Sequence, residues 1–99
     1  MAPRSFGEYV KAAREERGLS IRELTRRLDV EPTTVSRLEN GTRTLPHPDL
    51  FIGLIMKLEL DWRTALNLVP SYRRLWNGLV ELARVDYIEH IKQLSVEES

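Results

Sequence analysis

The sequence predicts an all-α fold, in which five short helices are followed by a longer C-terminal helix or a bent pair of helices. Apolar residues recur three and four positions apart along most of the 99 residues, which is the spacing of one helix face. Serine, aspartate or proline precedes several of these runs, and glycine or proline follows them, as at helix boundaries. A chain of this length forms one small domain with an added arm, and its thin core would gain from a partner subunit.

The composition restricts the classes of function. The chain has no cysteine, so it has no disulfides or thiolate metal sites, which suits the cytoplasm. We expect no membrane association, because no apolar run approaches the roughly 20 residues of a membrane span and no signal peptide opens the chain. The formal net charge is +0, whereas nucleic-acid-binding proteins usually carry an excess of Lys and Arg. No nucleophile is paired with a base, so we expect no catalytic residue, cofactor or metal.

The remainder of the chain is organised around residues 21–41, which read as two short helices. Leu24 and Leu28 give the first helix one apolar face, and Val35 and Leu38 do the same for the second. A sharp polar turn of three residues separates the two helices. Two helices joined so tightly cross steeply, so their apolar faces form a core and the outer face of the second helix is left exposed.

These residues also carry a family resemblance. Residues 35–41, VSRLENG, are close to the ISRIENG sequence that ends the motif in the lambda-repressor-like, Cro/xenobiotic-response-element (XRE) regulators of bacteria and phages, and residues 18–20, GLS, lie upstream at the family's distance. The resemblance covers roughly residues 6–66. It implies a five-helix, helix-turn-helix DNA-binding domain over residues 1–70.

The resemblance implies a site for double-stranded DNA on the second helix of the motif, residues 32–39. Helix-turn-helix proteins read base edges from the first turns of this helix in the major groove. A threonine offers a hydroxyl and a methyl group to bases, and an arginine can pair with guanine. The N–H groups at the start of the preceding helix can hold a phosphate. The predicted base contacts are Pro32, Thr33, Thr34, Ser36 and Arg37, and the predicted phosphate contacts are Ser20, Ile21, Arg22, Asn40, Arg43 and Thr44.

The resemblance also implies a structural ion pair and reveals departures from the family. An arginine of the first helix usually pairs with the glutamate of the ENG sequence, which implies a pair between Arg14 and Glu39; the alternative is a solvated Arg14. Ile21 stands where the family usually has a glutamine that holds phosphate, and isoleucine cannot do this. Thr25 replaces an alanine at the close approach of the helices. Asp29 replaces a turn glycine, and aspartate tolerates a positive φ better than most residues.

The other helices of the first domain are predicted from capping residues and apolar spacing. Ser5 and Glu8 have capping-box spacing before the first helix, which should end near the glycine at position 18. Ser20 and Glu23 have the same spacing and predict a capping box at the start of the second helix. Trp62 and Leu66 are expected to close the core. The predicted helices cover residues 6–17, 21–28, 32–39, 49–58 and 62–68 or 62–69, with Pro70 ending the last of them.

Helical apolar spacing continues beyond Pro70, where the family resemblance stops. An unbroken helix over residues 71–94 would be about 35 Å long, and it could instead bend near Gly78 or Asp86. So large an apolar surface normally contacts another protein, and a homodimer is the simplest partner because it presents two reading heads to two half-sites. Alternatively, this C-terminal helix folds back on the first domain of its own chain. The predicted interface residues are Leu75, Trp76, Leu79, Val80, Ala83, Tyr87, Ile88, Ile91 and Leu94.

The sequence therefore predicts a cytoplasmic, nucleoid-associated, dimeric transcriptional regulator, most simply a repressor, that reads an inverted-repeat operator. The alternative is an antitoxin or a protein-interaction module of the same fold, which binds a toxin or another protein through residues 71–99. An enzyme is the weakest of the three classes, because adjacent carboxylates in this chain read as solvated charge.

Overall fold

The computed structural model describes residues 2–98, with side chains to residue 94, and is helical throughout its regular structure. The six helices are α1 (Phe6–Glu16), α2 (Ile21–Leu28), α3 (Pro32–Glu39), α4 (Pro48–Lys57), α5 (Trp62–Asn67) and α6 (Pro70–Glu98). The chain forms two compact units, Met1–Val69 and Pro70–Ser99. The predicted all-α class, with five helices followed by a C-terminal helix, is confirmed.

Side-chain caps explain where three of the helices begin. Ser5 Oγ accepts a hydrogen bond from the Glu8 N–H at 3.1 Å, and Asp61 Oδ2 accepts from the Thr64 N–H at 3.2 Å. Before α2, Ser20 Oγ accepts from the Glu23 N–H at 3.1 Å and Glu23 Oε1 accepts from the Ser20 N–H at 3.3 Å. These bonds satisfy N–H groups that have no partner within a helix. The capping box expected at α2 is therefore formed.

Two helix ends use left-handed backbone at residues other than glycine. Asp29 ends α2 with φ 55°, and Glu59 follows α4 with φ 51°. This conformation costs an L-residue roughly 1 kcal/mol, and aspartate tolerates it better than most because its short polar side chain bonds locally. The turn between α2 and α3 thus keeps the geometry of a glycine turn, as the sequence predicted for Asp29.

The core of the first unit lies between α1, the two helices of the motif and α4. The Phe6 and Phe51 rings pack with their centroids 4.9 Å apart. Other buried apolar side chains lie at helical spacing, so each helix turns one stripe inward. They include Val10, Ala13, Leu24, Val35, Leu38, Leu50, Leu54 and Leu58. This shared core fixes the direction in which α3 presents its opposite face.

The expectation that Trp62 closes the core is wrong, because its side chain is 43% exposed. Trp62 is the first residue of α5, and its ring lies against the guanidinium of Arg63, with 5.1 Å between the centroid and Cζ. Ala65 and Val69 are buried instead, and Leu66 is half-buried. They lie four residues apart and therefore share the inward face of this segment.

Several helix boundaries differ from the prediction. Helix α1 ends at Glu16, α4 at Lys57 and α5 at Asn67, each one or two residues early, and α6 extends to Glu98 rather than to residue 94. Helix α4 begins at Pro48, one residue early, because His47 Nδ1 caps it by accepting from the Asp49 N–H at 3.2 Å. Pro70 begins α6, since proline at a first helical position loses no hydrogen bond. It does not end α5, which already stops at Asn67 with Leu68 as its C-cap.

Helix α6 is continuous from Pro70 to Glu98, without a break at Gly78 or Asp86. Its 29 residues correspond to about 43 Å at 1.5 Å per residue. All nine predicted interface residues are exposed in the structure. Among the described residues, no helix combines the length and apolar content needed to cross a bilayer.

Candidate nucleic-acid interface

One face of helix α3 is packed in the core, and the opposite face is exposed to solvent. Val35 and Leu38 are buried in the core, and the turn at Asp29 brings α3 against α2. The five predicted base-contacting residues divide by exposure. Pro32, Thr33 and Arg37 are exposed, whereas Thr34 and Ser36 are half-buried. Thr33 and Arg37 are four residues apart, so a hydroxyl and a guanidinium lie one above the other on the outer face.

An ion pair connects α1 to the end of α3. Arg14 Nε donates to Glu39 Oε2 at 2.8 Å and Arg14 Nη2 donates to Glu39 Oε1 at 2.9 Å. The side chains are 11% and 5% exposed. The hydrogen bond to Glu39 raises the pKa of Arg14, so the guanidinium is charged at every relevant pH. Arg14 Nη1 also donates to the Leu19 carbonyl at 2.8 Å. One side chain therefore joins α1, the segment before α2 and the end of α3.

The backbones of α1 and α3 also approach each other directly, at Gly7. A Cβ atom added to Gly7 would lie 2.0 Å from the carbonyl oxygen of Leu38 and 3.3 Å from Glu39 Cα. The backbones of the two helices therefore approach too closely for any side chain at this position. Sequence reasoning did not identify Gly7, although a glycine inside a helical pattern is the signal of such an approach.

The start of α2 carries its own negative charge. Of the predicted phosphate contacts here, Ser20 and Arg22 are exposed and Ile21 is half-buried. The hydrogen bond to Ser20 lowers the pKa of Glu23, so its carboxylate stays ionised at the helix start. Because the Ser20 hydroxyl accepts in the cap, its hydrogen can still be donated to a phosphate. Sequence reasoning predicted the capping box and a phosphate contact here, but it did not note that the Glu23 carboxylate occupies the same helix start.

A second carboxylate lies at the start of α3. Glu31 is the N-cap residue, and its side chain makes no capping hydrogen bond. It is exposed and immediately precedes the residues predicted to touch bases. A negative charge here is favourable for the helix, since the positive end of the helix dipole is at its N-terminus. The same charge is unfavourable beside a phosphate backbone.

The loop after α3 supplies the remaining predicted phosphate contacts, Asn40, Arg43 and Thr44, and all three are exposed. Asn40 Oδ1 accepts from the Thr42 N–H at 3.0 Å, which leaves the amide NH₂ group as the donor for a phosphate oxygen. The Arg43 N–H donates to the Arg37 carbonyl at 3.0 Å. The loop is therefore fastened to the last turn of α3, and Gly41 permits this with φ 83°.

Exposed arginines lie on both helices of the motif and in the loop that follows α3. There are five of them, and within the described part of the chain none of the five forms an ion pair. They are Arg22, Arg26, Arg27, Arg37 and Arg43. Cations without an ion-pair partner are available to neutralise phosphates.

Comparison with known proteins agrees with this geometry. A family model described as a helix-turn-helix domain matches residues 5–62. Among curated proteins, the HTH-type transcriptional repressor RghR of Bacillus subtilis (strain 168) is 38% identical to the chain over 58 residues. Those residues are 59% of this chain and 43% of the relative, so the chain spans less than half the length of the curated relative that it matches. No solved structure matches the chain significantly.

The matched residues run from the N-cap of α1 to the first residue of α5 and contain the whole α2–turn–α3 unit. The same region holds the buried anchors of α3, the Arg14–Glu39 pair and the VSRLENG sequence. The family resemblance inferred from the sequence is thereby confirmed. The chain belongs to the helix-turn-helix domain family.

Proposed function

We propose that this protein is a sequence-specific DNA-binding transcriptional regulator that reads a major groove through α3. The observation that carries the proposal is the outer face of α3, where Thr33 and Arg37 are exposed while Val35 and Leu38 hold the opposite face in the core. A helix fixed in this way can be placed against base edges without reorganising. A helix that is already in place loses little backbone entropy on binding.

The contacts of α3 would supply specificity. Arg37 can donate two parallel hydrogen bonds to O6 and N7 of a guanine, which is worth about 1–3 kcal/mol of discrimination. Thr33 offers its hydroxyl to a base and its methyl group to thymine, and Pro32 offers apolar surface. Thr34 and Ser36, which are half-buried, would contact bases at the edge of this face.

The contacts around α3 would supply affinity and orientation. Phosphate contacts set the register of a protein on the duplex without reading sequence. The proposed set lies on two sides of α3, at the start of α2 and in the loop that follows α3. It comprises Ser20, Arg22 and the backbone of Ile21 on one side, and Asn40, Arg43 and Thr44 on the other. With Glu23 and Glu31 nearby, we expect a modest non-specific affinity.

A homodimer completes the proposal. Two copies related by a twofold axis would present two α3 helices to the half-sites of an inverted repeat, about 34–36 Å apart. The exposed apolar residues of α6 support pairing through this helix. Occupancy of a promoter then represses transcription, which is the activity named for the relative from Bacillus subtilis. The site of action would be the nucleoid in the cytoplasm.

Selection of bound fragments from random DNA tests the proposal most directly. We expect an enriched inverted repeat with half-sites one helical turn apart. Arg37→Ala should weaken binding to the selected site by about 1–3 kcal/mol, or roughly 5- to 150-fold. Arg63→Ala removes an exposed arginine of α5 and serves as the matched control. If no sequence is enriched and the two variants behave alike, α3 does not read DNA.

An antitoxin or another protein-interaction module is the second candidate. The specific observation in its favour is the pair of carboxylates, Glu23 and Glu31, at the starts of both motif helices. The exposed apolar surface of α6 would then bind a different protein. Affinity capture with the full-length chain separates the two candidates. Recovery of one stoichiometric toxin-like partner, together with a failure to enrich DNA, would favour this reading.

A further inference from the structure

One row of side chains on α6 is symmetric about Ala83. The spacings between successive members are 3, 4, 4, 4, 4 and 3 residues, so the row reads alike in both directions. Its four members nearest to Ala83 are well exposed, with Leu75 at 58%, Leu79 at 51%, Tyr87 at 66% and Ile91 at 42%. The complete row is Tyr72, Leu75, Leu79, Ala83, Tyr87, Ile91 and Leu94. Its smallest side chain is at the centre.

The central spacing of four residues distinguishes this row from a coiled-coil seam. A coiled coil alternates steps of three and four residues, which keeps the seam parallel to the helix axis. Consecutive steps of four drift around the helix and form a ridge inclined by about 26° to its axis. When two such ridges run along the same direction, the helices cross at about 50°. The contact is then concentrated in the few turns around the crossing point.

We propose that α6 pairs antiparallel with α6 of a second copy of this chain and crosses it at Ala83. The inference rests on the dimer of the proposed function and specifies its arrangement. A twofold interface must be complementary to itself. The ridge meets this condition, because rotation about an axis through Ala83 places Leu79 of one copy opposite Tyr87 of the other. Alanine at the crossing permits the short interaxial distance, about 8 Å, that small side chains allow.

The attachment points of the first units support the antiparallel direction. Pro70, where α6 begins, lies 13 residues before Ala83, which is about 20 Å along the helix. In an antiparallel pair crossing at about 50°, the two Pro70 residues would be roughly 35 Å apart, whereas in a parallel pair crossing at the same angle they would be roughly 17 Å apart. Because each first unit is joined to α6 at Pro70, the antiparallel direction leaves more room for both of them.

Cysteine cross-linking tests the arrangement, because the chain has no cysteine of its own. On the twofold axis, Ala83→Cys should form a disulfide-linked dimer, since the two Cα atoms would be within the roughly 4.4–6.8 Å that a disulfide spans. Leu79→Cys alone and Tyr87→Cys alone should remain unlinked. An equimolar mixture of those two variants should link, because position 79 of one copy faces position 87 of the other.

The other possible cross-linking results each contradict a different part of the proposed arrangement. Self-linking of both Leu79→Cys and Tyr87→Cys would show a parallel pair, which overturns the inference and leaves the proposed dimer intact. A dimer that gives no link at any of these positions would show that α6 is not the interface. A monomer by sedimentation of the unmodified chain at micromolar concentration would remove the dimer from the proposed function, whereas DNA reading by α3 is judged separately by fragment selection.

A charge substitution provides a second measurement without oxidation. Ala83→Glu would place two carboxylates next to each other on the axis, and we expect the Kd of the dimer to rise about tenfold or more. Val85→Glu is the matched control, because Val85 is also exposed but lies on the opposite side of α6. It should change the Kd less than about twofold. Equal effects of the two substitutions would overturn the placement of the interface on the ridge.

Discussion

The guanidinium of Arg14 holds both carboxylate oxygens of Glu39, at 2.8 and 2.9 Å, and with its third nitrogen it holds the Leu19 carbonyl. Glu39 is the last residue of α3, and Leu19 directly precedes the N-cap of α2. Both segments proposed to contact DNA are thus connected to one side chain of α1. A nearly buried pair of this kind is a stronger argument for fixed geometry than for stability.

Replacing one partner of the Arg14–Glu39 ion pair should strongly lower the stability of the fold. Arg14→Met leaves the Glu39 carboxylate nearly buried and without its cation, which we expect to lower the free energy of unfolding by about 3 kcal/mol. The double variant Arg14→Met with Glu39→Met should recover most of this loss, because no unpaired charge remains. Urea unfolding followed by circular dichroism measures the free energy of unfolding of the single and the double variant. If the double variant were as unstable as the single one, the bond to Leu19 rather than the ion pair would hold the structure.

Gly7 should be sensitive to the smallest added side chain. In Gly7→Ala the new methyl group would overlap the Leu38 carbonyl, so α1 or the end of α3 must shift. Overpacking of this kind costs about 1–3 kcal/mol, and we expect operator affinity to fall even where the protein is fully folded. Gly78→Ala is the control, since no atom lies near a Cβ at that position, and it should stabilise α6 by about 0.5–1 kcal/mol. Unfolding curves and binding isotherms of both variants give the comparison.

The two carboxylates at the helix starts should weaken DNA binding. Glu23→Gln retains a capping-box residue but removes its charge, and Glu31→Gln removes the charge in front of α3. Each substitution should strengthen binding about two- to fivefold, which corresponds to roughly 0.4–1 kcal/mol. The gain should shrink as salt is added. Glu16→Gln, which changes an exposed carboxylate of α1, is the control in the same titrations. A gain of equal size in all three variants would indicate a general effect of net charge.

Acid should weaken the caps of α2 and α5. The hydrogen bonds from Ser20 lower the pKa of Glu23 below its ordinary value of 4.5, and those from Thr64 lower the pKa of Asp61 below 3.8. Each carboxylate therefore binds protons less readily in the folded chain than in the unfolded chain. Its contribution is complete above the ordinary pKa and is lost as the pH falls through the folded pKa.

We therefore expect the free energy of unfolding to decrease as the pH is lowered below about 4.5. The decrease should be shallower in Glu23→Gln and in Asp61→Asn than in the unmodified chain, because each variant lacks one of the titrating caps. Denaturant unfolding at a series of pH values measures the slope. If the free energy of unfolding fell with pH as steeply in both variants as in the unmodified chain, other carboxylates would be responsible for the acid sensitivity.

Much of this fold is decided by residues close together in the chain. Caps such as Ser20 with Glu23 act over three residues, and the helix faces repeat every three or four. The α2–turn–α3 unit and the existence of α6 could therefore be predicted from local patterns. The family resemblance added the partner of Arg14, which lies 25 residues away, because spacing alone does not identify a contact at that distance.

The tertiary structure decided what depends on contacts between distant segments. Only the approach of α1 to the end of α3 explains Gly7, and only the packing of the core explains why Ala65 and Val69 are buried while Trp62 remains exposed. Apolar spacing places a residue on a helix face, but another helix must cover that face before the residue is buried. For the same reason the sequence alone marked α6 as an apolar helix, whereas its unbroken course and exposed side chains became evident only in three dimensions.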